Sequence, residues 1–245
     1  MIHTEASPIT FGGIVQRSTR FHVFTPARLA LVTALAMAPI ASPLAAQSSG
    51  DPYADRFSLV GGVSQLLLGG GNIEGTWYTR RLSVAYSHGF NLQLGGNALP
   101  QALQDQRLQL TMPWTTGFGI GYRVTSALDL RLDVKRHRFA MRYDDQDFAG
   151  STIAEYQTTT VGIGAYYRYY PFASRSGAAR GVVIVPSVRY WPNVSSSLPN
   201  DELRYTNART GRQEVHQAAE QGFPGSGGVV ANVSIGYTFA LGAKR

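Results

Sequence analysis

The chain contains no cysteine, which excludes a disulfide framework and thiolate metal sites. Lysine is nearly absent too, occurring only at positions 135 and 244, so the positive charge is almost all arginine. Beyond residue 46 no apolar run is long enough for a spanning helix, and any membrane crossing must be made by strands. Charged residues amount to 15% of the chain, with a formal net charge of +7. A basic balance suits nucleic acid or phosphorylated lipid head groups. An exported protein rarely meets nucleic acid, so the lipid head groups are the expected partners.

The first 46 residues read as a targeting segment. Arg17, Arg20 and Arg28 precede an apolar run at 29–40, and small, turn-prone residues at 41–46 lead to Gln47. A charged region, about a dozen apolar residues and a small-residue exit describe a secretory signal peptide. Pro39 and Pro43 argue against a transmembrane helix there. Residues 47–55 form a short periplasmic lead-in, and 56–245 suit a single domain.

That domain alternates. In 228–241, Val229, Ala231, Val233, Ile235, Tyr237, Phe239 and Leu241 fall on one face of an extended chain, and Val230, Asn232, Ser234, Gly236, Thr238 and Ala240 on the other. Strands are expected at 57–68, 73–79, 82–90, 116–124, 128–135, 155–170, 182–190 and 228–241. The alternation fails at Leu66–Leu68, which predicts a bulge or early exit. Pro186 is awkward for a paired strand. The stretch 128–135 sets Leu128, Leu130, Leu132 and Val134 against Asp129, Arg131, Asp133 and Lys135. A soluble core would need a partner for each of those four charges, whereas a polar lumen accepts them. The segments 91–109, 144–154 and 193–227 read as loops, the last the longest. Aromatics near strand ends (Trp77, Tyr78, Tyr122, Tyr169, Tyr170 and Phe239) read as interface girdles.

The closing stretch resembles the last strand of small bacterial outer-membrane β-barrel proteins. In that family it reads polar-x-Gly-x-x-hydrophobic-x-hydrophobic, and the barrel-assembly machinery recognises it. Ser234, Gly236, Phe239 and Leu241 match the pattern, although Gly242–Arg245 follow where the family usually stops at an aromatic residue. The resemblance implies an all-β, eight-stranded antiparallel transmembrane up-and-down barrel in the outer membrane. A soluble lipocalin-like binding barrel, with the opposite facing, remains the alternative fold.

The expected function is an integral barrel with a filled polar lumen, serving a structural, surface-interaction or small-molecule passage role. A lipid-modifying enzyme on the same scaffold is the competing class. Eight strands leave an interior just wide enough for side chains. Glu74, Arg123, Asp129, Arg131, Asp133, Lys135, Arg168 and Arg189 should form a cross-strand network there, each acidic member touching an Arg. Arg136, Arg138 and Arg142 continue the lipid-facing phase past Val134. They would place the external boundary near residue 135, where lipopolysaccharide offers phosphates, or else stand solvated on a barrel that extends above the membrane.

Other motifs read blandly. Gly117-Phe-Gly-Ile-Gly121 lacks the spacing and context of a dinucleotide loop and suits the inner face of a narrow barrel. Ser87 and His88 are adjacent, so their side chains point to opposite faces and no catalytic residue is assigned. His137 shares the inner phase of Asp133 and Lys135, and His216 reads as a solvated loop residue. Asp144-Asp-Gln-Asp147 lacks the ligand spacing of a calcium loop. No metal or other cofactor is expected.

Overall fold

The computed structural model describes residues 55–95, 99, 101–144, 152–218 and 228–241. The signal segment 1–46, most of the lead-in, the acidic stretch 145–151 and the terminal Gly242–Arg245 lie outside the described residues.

Eight strands make a closed wall: β1 (Arg56–Gly62), β2 (Gly71–Tyr78), β3 (Leu82–Leu94), β4 (Leu108–Arg123), β5 (Leu128–Tyr143), β6 (Thr152–Tyr167), β7 (Val182–Tyr190) and, after three short strands, β11 (Val229–Ala240). Each pairs antiparallel with its sequence neighbour in the wall. Pairing of β1 with β11 closes the ring, from Arg56↔Ala240 to Gly62↔Ser234. Among the described residues every wall strand is paired on both sides, the β6–β7 ladder over Ile163–Tyr166 and Ser187–Tyr190 with one further bridge, as a sheet in lipid requires.

The wall is lopsided. β4, β5 and β6 have 16 residues each, whereas β1, β2 and β7 have 7, 8 and 9. The long strands rise beyond the barrel on the end opposite the chain termini. Their extra length occupies ground expected to be loop: β3 continues to Leu94, β4 begins at Leu108, β5 runs on to Tyr143 and β6 begins at Thr152.

The stretch 57–68 is not one strand. β1 stops at Gly62 and a one-turn helix, Val63–Leu67, follows, which accounts for the lost alternation. The region 193–227 is not simply loop either. β8 (Asn193–Ser196) continues the β7 column along β6, and β9 (Glu202–Thr206) pairs with β10 (Gln213–Gln217) as a hairpin. On the terminal side, β6 ends at Tyr167, so the connection to β7 is longer than the expected turn and carries a 3-10 turn at Ala178–Gly181.

Pro186 is tolerated because the β6–β7 ladder breaks there. Pairing ends at Tyr166↔Ser187 and resumes in the same register at a single Tyr169↔Ile184 bridge, so Pro186 costs the ladder only the step opposite Tyr167.

Candidate functional site

The barrel is inside out relative to a soluble one. Phe118 and Ile120 are 65% exposed on its outer face, with Leu130, Leu132, Val134 and Ile163 beside them, whereas Asp129, Arg131, Asp133 and Lys135 are buried inside. This facing overturns the lipocalin-like alternative, whose lipophilic side chains would turn inward.

Local register explains how so narrow an interior holds the charges of β5. Arg131 lies between Gly121 and Gly164, and Asp133 between Gly119 and Gly162. A Cβ on Gly119 would stand 2.2 Å from Asp133 Oδ1 and 2.6 Å from Arg131 Cδ, so any larger residue would push both side chains from their places. The glycine run of β4 is thus the bed on which the long side chains of β5 lie.

Two ion pairs hold the lumen, the first across the barrel and the second between neighbouring strands. Arg131 Nη1 donates to Glu74 Oε1 at 2.7 Å, joining β5 to β2. Arg168 Nη1 donates to Asp129 Oδ2 at 2.8 Å, while Nη2 donates to the Ser126 carbonyl. Asp133 departs from the expectation that every acid meets an Arg. It accepts from Tyr166 Oη at 2.6 Å, because Arg131 is committed to Glu74 and its guanidinium carbon stands over the Tyr166 ring at 3.8 Å. Arg123 donates to the Thr79 carbonyl at the terminal rim.

Aromatic platforms were the part of this network that sequence reasoning missed. Tyr78 is buried under Arg168 at 4.2 Å and is no girdle residue. Tyr170 also turns away from the girdle, donating to Thr238 Oγ1. Lys135 and Arg189 both stand over Trp191, at 4.5 and 4.4 Å. The available signal was the inward phase of Tyr166 between Gly164 and Arg168.

Above Lys135 the interior changes. His137 is held between Thr115 and Thr160, at 2.8 and 2.9 Å from its two ring nitrogens. The next inward residues of β5, Phe139, Met141 and Tyr143, are buried in an apolar cluster with Leu92, Leu110, Met112 and Tyr156. The wall bends at this level: Asn91 adopts a left-handed φ of 54° opposite the register shift that contains Pro113. The β9–β10 hairpin closes the cluster from above. Tyr205 and Ala218 pack into it, the Ala208 N–H donates to Tyr143 Oη at 2.7 Å, and His216 meets Tyr156 Oη at 3.1 Å. His216 is therefore buried, contrary to its reading as a solvated loop residue.

Within the hairpin, Glu202 accepts from Gln217 and Arg204, and these bonds hold its carboxyl below the usual range. Burial pushes Tyr205 up to about 12, and its hydroxyl bonds Gln106.

The remaining candidates fall as follows. Arg136 and Arg142 are exposed on the outer face, and Arg138 pairs there with Glu155. Ser234 faces the lumen, Phe239 and Leu241 face outward, and Gly236 pairs with Val60 across the seam. Ser87 points inward and accepts a hydrogen bond from Lys135 Nζ at 2.5 Å. His88 lies on the opposite face, so the adjacent pair does not meet.

A closed eight-stranded ring with an exposed apolar belt and a buried, ion-paired interior defines the class: an integral, outer-membrane-type β-barrel. No family model matches the chain, and no curated protein matches it. Three solved structures are similar. The attachment invasion locus protein Ail of Yersinia pestis, solved with the heparin analogue sucrose octasulfate, is 13% identical over 76% of this chain and 99% of its own, with a TM-score of 0.37. A major outer membrane protein of Thermus thermophilus is 14% identical over 76% of this chain and all of its own, with a TM-score of 0.38. A designed transmembrane β-barrel is 13% identical over 78% of this chain, with a TM-score of 0.26. The class rests on closure, facing and charge placement in this chain itself.

Proposed function

We propose that the protein is exported through a cleaved signal at 1–46 and resides in a bacterial outer membrane, as a closed, non-enzymatic anchor for an external platform. The observation that carries this reading is the inner face of β5, which passes from Asp129, Arg131, Asp133 and Lys135 to Phe139, Met141 and Tyr143. The charged half fills the lumen and the apolar half is sealed by the β9–β10 hairpin, so solute passage is disfavoured and surface interaction favoured. The tall wall and hairpin are the parts offered to partners.

The Ser87–Lys135 contact has the composition of a nucleophile and a base, yet it lies in the packed lumen beneath the sealed cluster. A structural hydrogen bond is the better reading. At the outer face, Arg136, Arg138 and Arg142 sit where lipopolysaccharide phosphates would lie, and bidentate Arg–phosphate contacts are the chemistry expected there.

The test is refolding of residues 47–245 into lipid bilayers, followed by heat-modifiable gel mobility and single-channel recording. A compact, heat-modifiable band with no stable conductance is expected. Large, steady currents would move the function to solute passage, and a water-soluble refolded monomer would remove the membrane reading.

A further inference from the structure

The charges of the lumen do not balance. Glu74 is matched by Arg131 and Asp129 by Arg168, while Arg123 is held by a rim carbonyl. What remains around Trp191 is Lys135, Arg189 and Asp133, two cations and one anion, all buried. Among the described residues no carboxylate lies within ion-pair distance of Lys135 or Arg189. Lys135 has only the Ser87 hydroxyl and the Trp191 face, and Arg189 has only aromatic faces.

Two adjacent donors are also left without an acceptor: Arg189 Nε and the Trp191 indole N–H are buried and unbonded. Arg189 edges a small polar cavity whose other walls include Asn232 and Glu74, the latter neutralised by Arg131. Water in that cavity would accept from Arg189 but would leave the buried charge uncompensated. An anion does both, and an uncompensated buried cation is costly.

We propose that the lumen binds one halide-sized monovalent anion in this cavity beside Arg189, whose guanidinium stands over the Trp191 ring that Lys135 also faces. One monovalent charge cancels the local excess, and the crowding by Tyr166, Asn232 and Arg189 itself favours a small ion. The site lies inside the barrel, so it stands independently of the external role proposed above.

The experiment uses refolded full-length mature protein in uncharged detergent micelles, unfolded with urea. Ionic strength is held constant while bromide or chloride replaces gluconate. The unfolding midpoint is expected to rise saturably with halide, the folding equilibrium constant growing about tenfold per tenfold halide above its dissociation constant. With Trp77 and Trp114 replaced by Phe, bromide should quench Trp191 fluorescence over the same concentration range. Arg189→Gln should lose both responses and match or exceed the parent in gluconate. If that variant does not refold, Lys135→Gln removes the same excess charge and should behave likewise. Equal midpoints in halide and gluconate, stabilisation by phosphate alone, or a halide response surviving in both variants would each overturn the proposal.

Discussion

His137 and Phe139 are consecutive inward residues of β5, their rings 6.1 Å apart, and the interior changes from charged to apolar between them. Below this level side chains are held by ion pairs and hydrogen bonds. Above it they are held by packing against a hairpin contributed from far along the chain. The two halves should therefore fail separately.

Phe139→Ala tests that separation. Phe139 is fully buried and stacks on Tyr156 at 5.3 Å, and truncating such a ring costs about 3–5 kcal/mol. The loss should fall on the cap. Trypsin is expected to cut at Arg204, Arg209 or Arg212 much faster than in the parent, while the heat-modifiable barrel band persists. Loss of the band together with hairpin protection would show that cap and barrel unfold as one unit.

The Arg131–Glu74 pair is the main cross-lumen tie. Removing either partner leaves a buried charge, and Glu74→Leu or Arg131→Met should each cost about 3–5 kcal/mol in urea unfolding from micelles. The double variant should recover most of that loss, because shape is roughly kept and no charge is stranded. A double variant as unstable as the sum of the singles would mean that the two act through other neighbours.

The hairpin should respond to pH at both extremes. Glu202 has its folded value lowered by Gln217 and Arg204, so its contribution is present above the ordinary value of 4.5 and is lost as pH falls through the folded value. Tyr205 is raised from 10.0 to about 12, so its contribution is present below 10.0 and is lost as pH rises towards 12. Backbone amide exchange corrected for intrinsic rates, or protease protection, should show β9–β10 loosening in both directions while β5 and β6 stay protected. A pH-independent hairpin would remove these two residues as its fasteners.

Much of the barrel was legible because period-two alternation needs only local sequence. The outward Leu130, Leu132 and Val134 and the inward Asp129, Arg131 and Asp133 follow directly from it. The upper wall was not legible for the same reason. Around Phe139 and Met141 the inner face becomes apolar, and the bend at Asn91 and Pro113 interrupts the alternation, so 91–109 looked like loop. The fate of Tyr78, Tyr170 and His216 depended on partners distant in sequence: Arg168 for the first, Thr238 for the second and Tyr156 for the third. No spacing rule supplies such contacts.

At the external face, Arg136 and Arg142 are exposed and Arg138 is held by Glu155. Replacing all three with Gln should weaken lipopolysaccharide co-purification without a measurable shift in the urea midpoint, since exposed ion pairs contribute little. Unchanged lipopolysaccharide binding would leave these side chains merely solvated.

The closing seam separates assembly from stability. Gly236 of β11 lies opposite Val60, and a Cβ there would sit 2.0 Å from the Leu59 carbonyl oxygen and 2.6 Å from Val60 Cα. Both contacts are backbone, so Gly236→Ala must push β1 away from β11, and each amide stranded in lipid costs several kcal/mol. Phe239 differs: it is exposed on the outer face, stacks on Phe57 at 6.4 Å and meets the Tyr237 ring at a tilt at 4.8 Å. Phe239→Ala keeps every backbone hydrogen bond possible and removes aromatic contacts worth about 0.5–1.5 kcal/mol. If the terminal pattern is read by the assembly machinery, Phe239→Ala should sharply lower outer-membrane abundance in cells and barely move the unfolding midpoint of refolded protein. Gly236→Ala should lower both. Parent-like abundance of Phe239→Ala would show that the terminal motif does not act as an assembly signal. Parent-like stability of Gly236→Ala would mean that the β1–β11 seam has slack the close backbone contact does not suggest.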